Sequence, residues 1–234
     1  MDEENKEEVE NSQDAENKEN VKEAANEVKG ETINAFNQVK DTMKNTDFKE
    51  EAKNTKGFLI EFVSRPVELV TSVARGERSV LATGLFLMAV TIVVNIIKSI
   101  ISVFRYSGFH LMTFVRDITY PVVYILVLAI VVLLLNRKSK KSLLTIIEVL
   151  ILAYVPNIIN NAISLITTII HNITLSEIIA CATTAIAIIA TLLRYFGIKE
   201  LFDEEDDSKF VKTFFIIMLI HQVCMYVIGL TNII

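Results

Sequence analysis

The sequence predicts an all-α fold: a polytopic membrane bundle of five transmembrane helices behind an N-terminal amphipathic and disordered cytosolic head. Three observations predict it. Hydrophobic residues make up 52% of the chain while charged residues are held to 22%, a balance outside the usual range of soluble domains. The two classes are segregated along the chain instead of interleaved. Five apolar stretches reach the roughly 20 residues that a hydrocarbon core requires.

The head comes first. Residues 1–20 carry nine acids against two lysines, a charge of minus seven inside a chain whose net charge is minus five, and they read as an acidic disordered tail. No signal-peptide pattern opens the sequence, so the first span is expected to direct insertion. Residues 21–56 contain elevens, VKEAANEVKGE, TINAFNQVKDT and MKNTDFKEEAK. That period carries an apolar stripe of Val21, Ala25, Val28, Thr32, Phe36, Val39 and Met43 along one nearly straight line. The stripe is thin, and Gly30 costs about 1 kcal/mol of helix stability. It suits either a helix formed on a lipid surface or a partly helical solvated stalk.

Residues 57–78 are too charged to cross a bilayer and too apolar for a linker. Phe58, Leu59, Phe62, Val63, Pro66, Leu69, Val70 and Val73 recur at three- and four-residue steps, with Pro66 restarting the helix. Two short amphipathic helices are expected in the membrane interface. Phe58, Phe62, Leu69 and Val73 would be buried in lipid, and Arg65 and Arg75 would meet headgroups. Gly76 then turns the chain into the first span.

Residues 79–234 form the transmembrane domain, with spans at about 80–104, 118–135, 142–166, 175–193 and 210–230. Pro121 is expected in the first turn of the second span, where its missing N–H is harmless. The basic loop NRKSKK at 136–141, with Arg194, Lys199, Lys209 and Lys212 around the fourth connection, places those loops in the cytoplasm. Arg65, Arg75 and Arg78 agree, against Arg105 and Arg116 in the first external loop. The expected topology is a cytoplasmic N-terminus and an external C-terminus in the cell membrane. Asn172 opens a glycosylation acceptor triplet on the outer side, a match frequent by chance.

Polar residues within spans need partners. Glu148, Tyr154, Asn157, Asn160 and Asn161 crowd the third span beside Pro156, and His221 lies midway along the fifth. Asn157, Asn160 and Asn161 share a helix face, so they either line a polar cavity or hydrogen-bond across the bundle as packing groups. Glu148 is expected to pair with Arg78, Arg194 or Lys212, a proton relay being the alternative. His221 reads as a structural hydrogen-bonding residue and Lys98 as a snorkelling one. Ala180, Thr184, Ala187 and Thr191 form a small-residue packing stripe. The acidic run at 203–206 lacks calcium-loop spacing.

Catalytic templates fail: there is no phosphate-cradling glycine loop, no histidine pair at metal spacing and no nucleophile elbow. No enzyme activity, cofactor, metal or nucleic-acid partner is expected. Cys181 and Cys224 sit in apolar runs as small hydrophobes. The expected partners are the lipid bilayer, unidentified proteins met through the cytosolic head, and a second copy of the chain.

This order of parts resembles the Yip family of Ypt/Rab-interacting membrane proteins in its prokaryotic branch. The resemblance covers about residues 58–230: the proline-containing segment from Phe62 to Val73, five close spans, Ala153, Tyr154, Val155 and Pro156 in the third, and Leu193, Arg194 and Tyr195 ending the fourth. It implies a five-span bundle with a cytosolic N-terminus and a role in organising membranes or scaffolding partners. The Leu-Tyr-Gly-Pro type motif before the first span is missing, so contact with a small GTPase is not implied. The N-terminal zinc ribbon of some bacterial relatives is also missing. The competing expectation is a small transporter or permease subunit working through the polar face of the third span.

Overall fold

The computed structural model describes residues 26, 28–106, 111–136, 141–170 and 173–230. The acidic tail, most of the NRKSKK loop and Asn172 lie outside the described residues. Every regular element among those described is helical. α1 covers 28–45, followed by α2 (Phe48–Ser64), α3 (Pro66–Arg75), α4 (Leu81–Tyr106), α5 (Leu111–Leu135), α6 (Leu143–Ile169), α7 (Ile173–Phe202) and α8 (Asp207–Leu230). The last five are long and apolar enough to cross a membrane.

The helix boundaries follow local chemistry. Asp47 interrupts the repeat by accepting from the backbone N–H groups of Lys49 and Glu50, capping α2. Pro66 occupies the first turn of α3, and Gly76 closes that helix with φ 81°, a left-handed conformation that glycine adopts without strain. Asp206 caps α8 through the N–H groups of Ser208 and Lys209, which gives part of the acidic run a local task. Two spans are longer than the sequence suggested. α5 begins at Leu111, so Pro121 lies inside it and not in its first turn. α7 continues past Leu193 to Phe202, which takes Arg194 out of the expected loop and into a helix.

α6 is the hub. It is 72% buried over its span window against 6% for α7, and it packs on α3, α4, α5 and α7. Lipid tails are as apolar as leucine, so close packing has to hold such a bundle together. Two glycines permit it. A Cβ at Gly84 of α4 would lie 2.8 Å from Ile151 Cγ2 of α6. One at Gly197 of α7 would lie 2.6 Å from Val149 Cγ1 of α6 and 2.7 Å from Val70 Cγ1 of α3.

α2 and α3 form a collar at the end of the bundle where α4 and α6 begin and α5 and α7 finish. Arg78 donates to Glu61 at 2.6 Å, Arg75 to Glu200 at 2.7 Å, and Thr83 to Glu51 at 3.0 Å. At the same end Asn136 donates to the Leu201 carbonyl at 2.8 Å, satisfying an orphan acceptor in the last turn of α7. Phe58, Phe62, Leu69 and Val73 are buried inside the protein's own core. This corrects the expected lipid contact: α2 packs against α3 and α4, and α3 against α6 and α7, so these side chains find their apolar surroundings within the protein. Arg75 likewise meets Glu200, and Arg65 meets Glu68 at 3.5 Å. The large apolar side chains that the collar leaves open are Phe48 at its start and Ile60, Val63 and Val67 around the α2–α3 junction, the last three exposed by 60%, 71% and 37%.

Candidate functional site

The polar residues of the spans gather at two places. At the start of α4, the Ser79 hydroxyl donates to Glu148 Oε1 at 2.5 Å, and the backbone N–H groups of Val80 and Leu81 are close enough to favour the carboxylate electrostatically. Glu148 is buried. Two of its three expected basic partners are engaged elsewhere, Arg78 with Glu61 and Arg194 with Tyr124. The correction has a physical reason: the first N–H groups of a helix are unpaired donors at the positive end of its dipole, so a carboxylate from a neighbouring helix finds its complement there. Glu148 of α6 thus caps α4.

The second place is a cleft of about 450 Å³ among α4, α5 and α6, at the end away from the collar. α4 contributes Asn95 and Lys98, α5 contributes Arg116, Asp117, Tyr120 and Pro121, and α6 contributes Tyr154 and Asn161. Its backbone logic starts at Pro121. Lacking an N–H, this residue leaves the Asp117 carbonyl without its helical donor, and Asn95 Nδ2 supplies one at 2.7 Å. Lys98 Nζ donates to Ser164 Oγ at 2.8 Å, and Ser164 donates to the Asn161 carbonyl at 2.9 Å. Arg116 Nε lies 3.9 Å from Asp117 Oδ1. The lining therefore holds two cations, one carboxylate and neutral donors. Lys98 sits in this network instead of snorkelling outward.

Tyrosines continue the polar seam toward the bundle centre. Tyr124 lies 5.9 Å, ring centre to ring centre, from both Tyr120 and Tyr154. Its hydroxyl accepts from Arg194, whose guanidinium carbon also stands 5.7 Å from the ring centre. Arg194 additionally donates to the Ala190 carbonyl and to Thr191 Oγ1, both at 3.1 Å. The fully buried His221 stacks edge-on to Tyr124 at 4.4 Å and bonds the Tyr124 carbonyl through Nε2 at 3.2 Å. A carbonyl only accepts, so Nε2 carries the proton.

The structure thus brings Tyr154 and Asn161 into the cleft and His221 next to it through Tyr124. Asn157 and Asn160 do not line it: Asn157 is half-buried, and Asn160 has a buried Oδ1 with no hydrogen-bond partner among the described residues. Sequence reasoning missed Asn95, Asp117, Tyr120 and Tyr124. The signal was Pro121, which obliges a neighbouring donor to serve the freed carbonyl only because the helix starts ten residues before it, at Leu111. The small-residue stripe of α7 faces outward, with Ala180, Thr184, Ala187 and Thr191 all exposed. Cys181 and Cys224 are free thiols. No family model, curated protein or solved structure matches this chain.

Proposed function

We propose that the chain is a non-enzymatic integral membrane protein that organises the membrane, or holds partners against it, through the collar. The observation that carries this reading is the collar's attachment. Two long-range ion pairs and a buried apolar face fix α2 and α3 to the bundle, while Ile60, Val63 and Val67 stay uncovered. A rigid row of apolar side chains at a membrane surface fits the docking of a helix or the shaping of a leaflet. The order of parts resembling the Yip family supports the same reading. The lysines and arginines at the collar end support it too, and by the positive-inside tendency they favour a cytoplasmic collar and N-terminus with the C-terminus outside. The open outward faces of α7 and α8 leave room for lipid or a second copy.

The test is a photo-crosslinker at Val63 in native membranes, with one at the buried Phe62 as control. Discrete adducts from Val63 alone support the reading. Equal adducts from both positions, or none from either, sink it. A second reading, a transporter subunit, is favoured by the charged cleft. It requires solute flux in reconstituted vesicles that Lys98→Gln or Asn161→Leu abolishes.

A further inference from the structure

We infer that the cleft among α4, α5 and α6 is a binding site for the phosphodiester headgroup of a membrane phospholipid, held between Lys98 and Arg116. Four observations converge on this ligand.

The first is charge. Lys98 and Arg116 face a single carboxylate, Asp117, whose ion pair among the described residues is with Arg116. The hydrogen-bond partner of Lys98 is the neutral Ser164 hydroxyl. An anion entering the cleft completes the balance, and a phosphodiester offers two charged oxygens to two cations. Asn95 and Asn161 add polar groups along the wall. The second is size. A volume of about 450 Å³ falls within the roughly 300–1,000 Å³ of small-molecule sites.

The third is depth. Lys98 stands eight residues before the end of α4 and Arg116 five after the start of α5, or roughly 12 and 7.5 Å along the helix axes at 1.5 Å per residue. A helix as long as α4, 26 residues, extends only a few Å beyond each side of a hydrocarbon core of about 30 Å. The cleft therefore meets the bilayer just below its headgroup layer. Lipid phosphate is at high local concentration a few Å above it, within reach of the long Lys98 and Arg116 side chains.

The fourth is the order of polarity. The face of α6 that supplies Tyr154 and Asn161 continues toward the collar as Ile151, Ile147 and Leu143, at steps of three, four and seven residues. Those three line a wholly apolar gap of about 290 Å³ that α4, α5 and the repeat helix α1 also border. Polar wall followed by apolar wall is the profile of an amphiphile and not of a free anion.

The experiment uses the purified full chain in detergent and reads thermal unfolding against three probes: dioleoyl phosphatidylglycerol, dioleoylglycerol and inorganic phosphate. A specific ligand raises the melting temperature in a saturable way. Phosphatidylglycerol is expected to do so, and the other two at matched concentration are not. Lys98→Gln is expected to weaken the apparent affinity about tenfold, as loss of a charged hydrogen bond predicts, while Lys98→Arg retains it. Arg116 is 54% exposed, so Arg116→Gln keeps the test available should the Lys98 variant not fold, and it should show a similar loss. Lys212→Gln, at the collar end, should leave the affinity unchanged. An equal response to dioleoylglycerol or to inorganic phosphate overturns the proposal, as does an affinity indifferent to both Lys98→Gln and Arg116→Gln.

Discussion

Glu148 shows what a single buried carboxylate requires of its surroundings. Its complement is the start of α4 together with the Ser79 hydroxyl, so its removal harms two helices at once. Glu148→Leu should destabilise the protein by roughly 1–3 kcal/mol, because it strands the donors that the carboxylate now satisfies. Glu148→Gln, which keeps one carbonyl oxygen, should cost less. In thermal unfolding, Ser79→Ala combined with Glu148→Leu should cost less than the two separate losses added together. Strict additivity would mean that the two side chains do not share a bond. The sequence made the need for a partner legible, since an acid within a span cannot stay unpaired. It did not reveal the partner, because the donors are backbone groups that carry no letter of their own. Tyr124 was hidden for a different reason: a tyrosine in an apolar run looks like core filling until an arginine and a histidine from two other helices are placed against it.

Among the elements, the collar joins the bundle through contacts of two kinds, and they respond to different changes. The Arg78 hydrogen bond holds the Glu61 carboxyl below its ordinary pKa. A carboxylate lowered in the folded state adds stability that is present above its unfolded pKa and disappears as pH falls through the folded one. The melting temperature of the parent should therefore exceed that of Glu61→Gln at pH 7, and the gap should shrink as pH falls below the ordinary carboxylate range of roughly 4. A gap that does not shrink with falling pH would refute the latch. Packing is tested at Gly197, where α3, α6 and α7 meet. Gly197→Ala should cost roughly 1–3 kcal/mol through overpacking. Gly57→Ala in α2, where a Cβ meets nothing within 4 Å, should instead raise stability by roughly 0.5–1 kcal/mol. Both follow from unfolding curves of the full chain. The amphipathic pattern of residues 58–73 was plain in the sequence, as were Pro66 and Gly76 as punctuation. The material its apolar face meets was not, because a periodic stripe fits a lipid surface and a protein groove equally well.

At the scale of the molecule, the five long helices and their alternation could be read from hydropathy alone, since length and apolarity are local properties. Which helix stands at the centre could not, because α6 and α7 are similarly apolar and differ only in neighbours. The contacts also bind sidedness together. Arg75 meets Glu200, and Lys199 meets Asp207, so the collar and the α7–α8 connection share one end of the bundle. With Cys181 and Cys224 replaced by serine, single cysteines at Glu68 and Glu205 should be shielded from an impermeant reagent in intact cells, and one at Glu177 should react. Opposite labelling at Glu68 and Glu205 would break the five-span arrangement. The seat of α3 also has a history. Its floor is formed by α6 and α7, which a ribosome makes well after α3 itself. For that interval Leu69, Val70 and Val73 have no protein to cover them, and the nearest apolar phase is the membrane surface. The nascent chain is therefore expected to rest this face on the membrane surface until α6 and α7 are in place. A chain truncated before Leu143, which lacks both α6 and α7, should keep a cysteine at Val73 open to a lipid-phase label, and the complete chain should protect it.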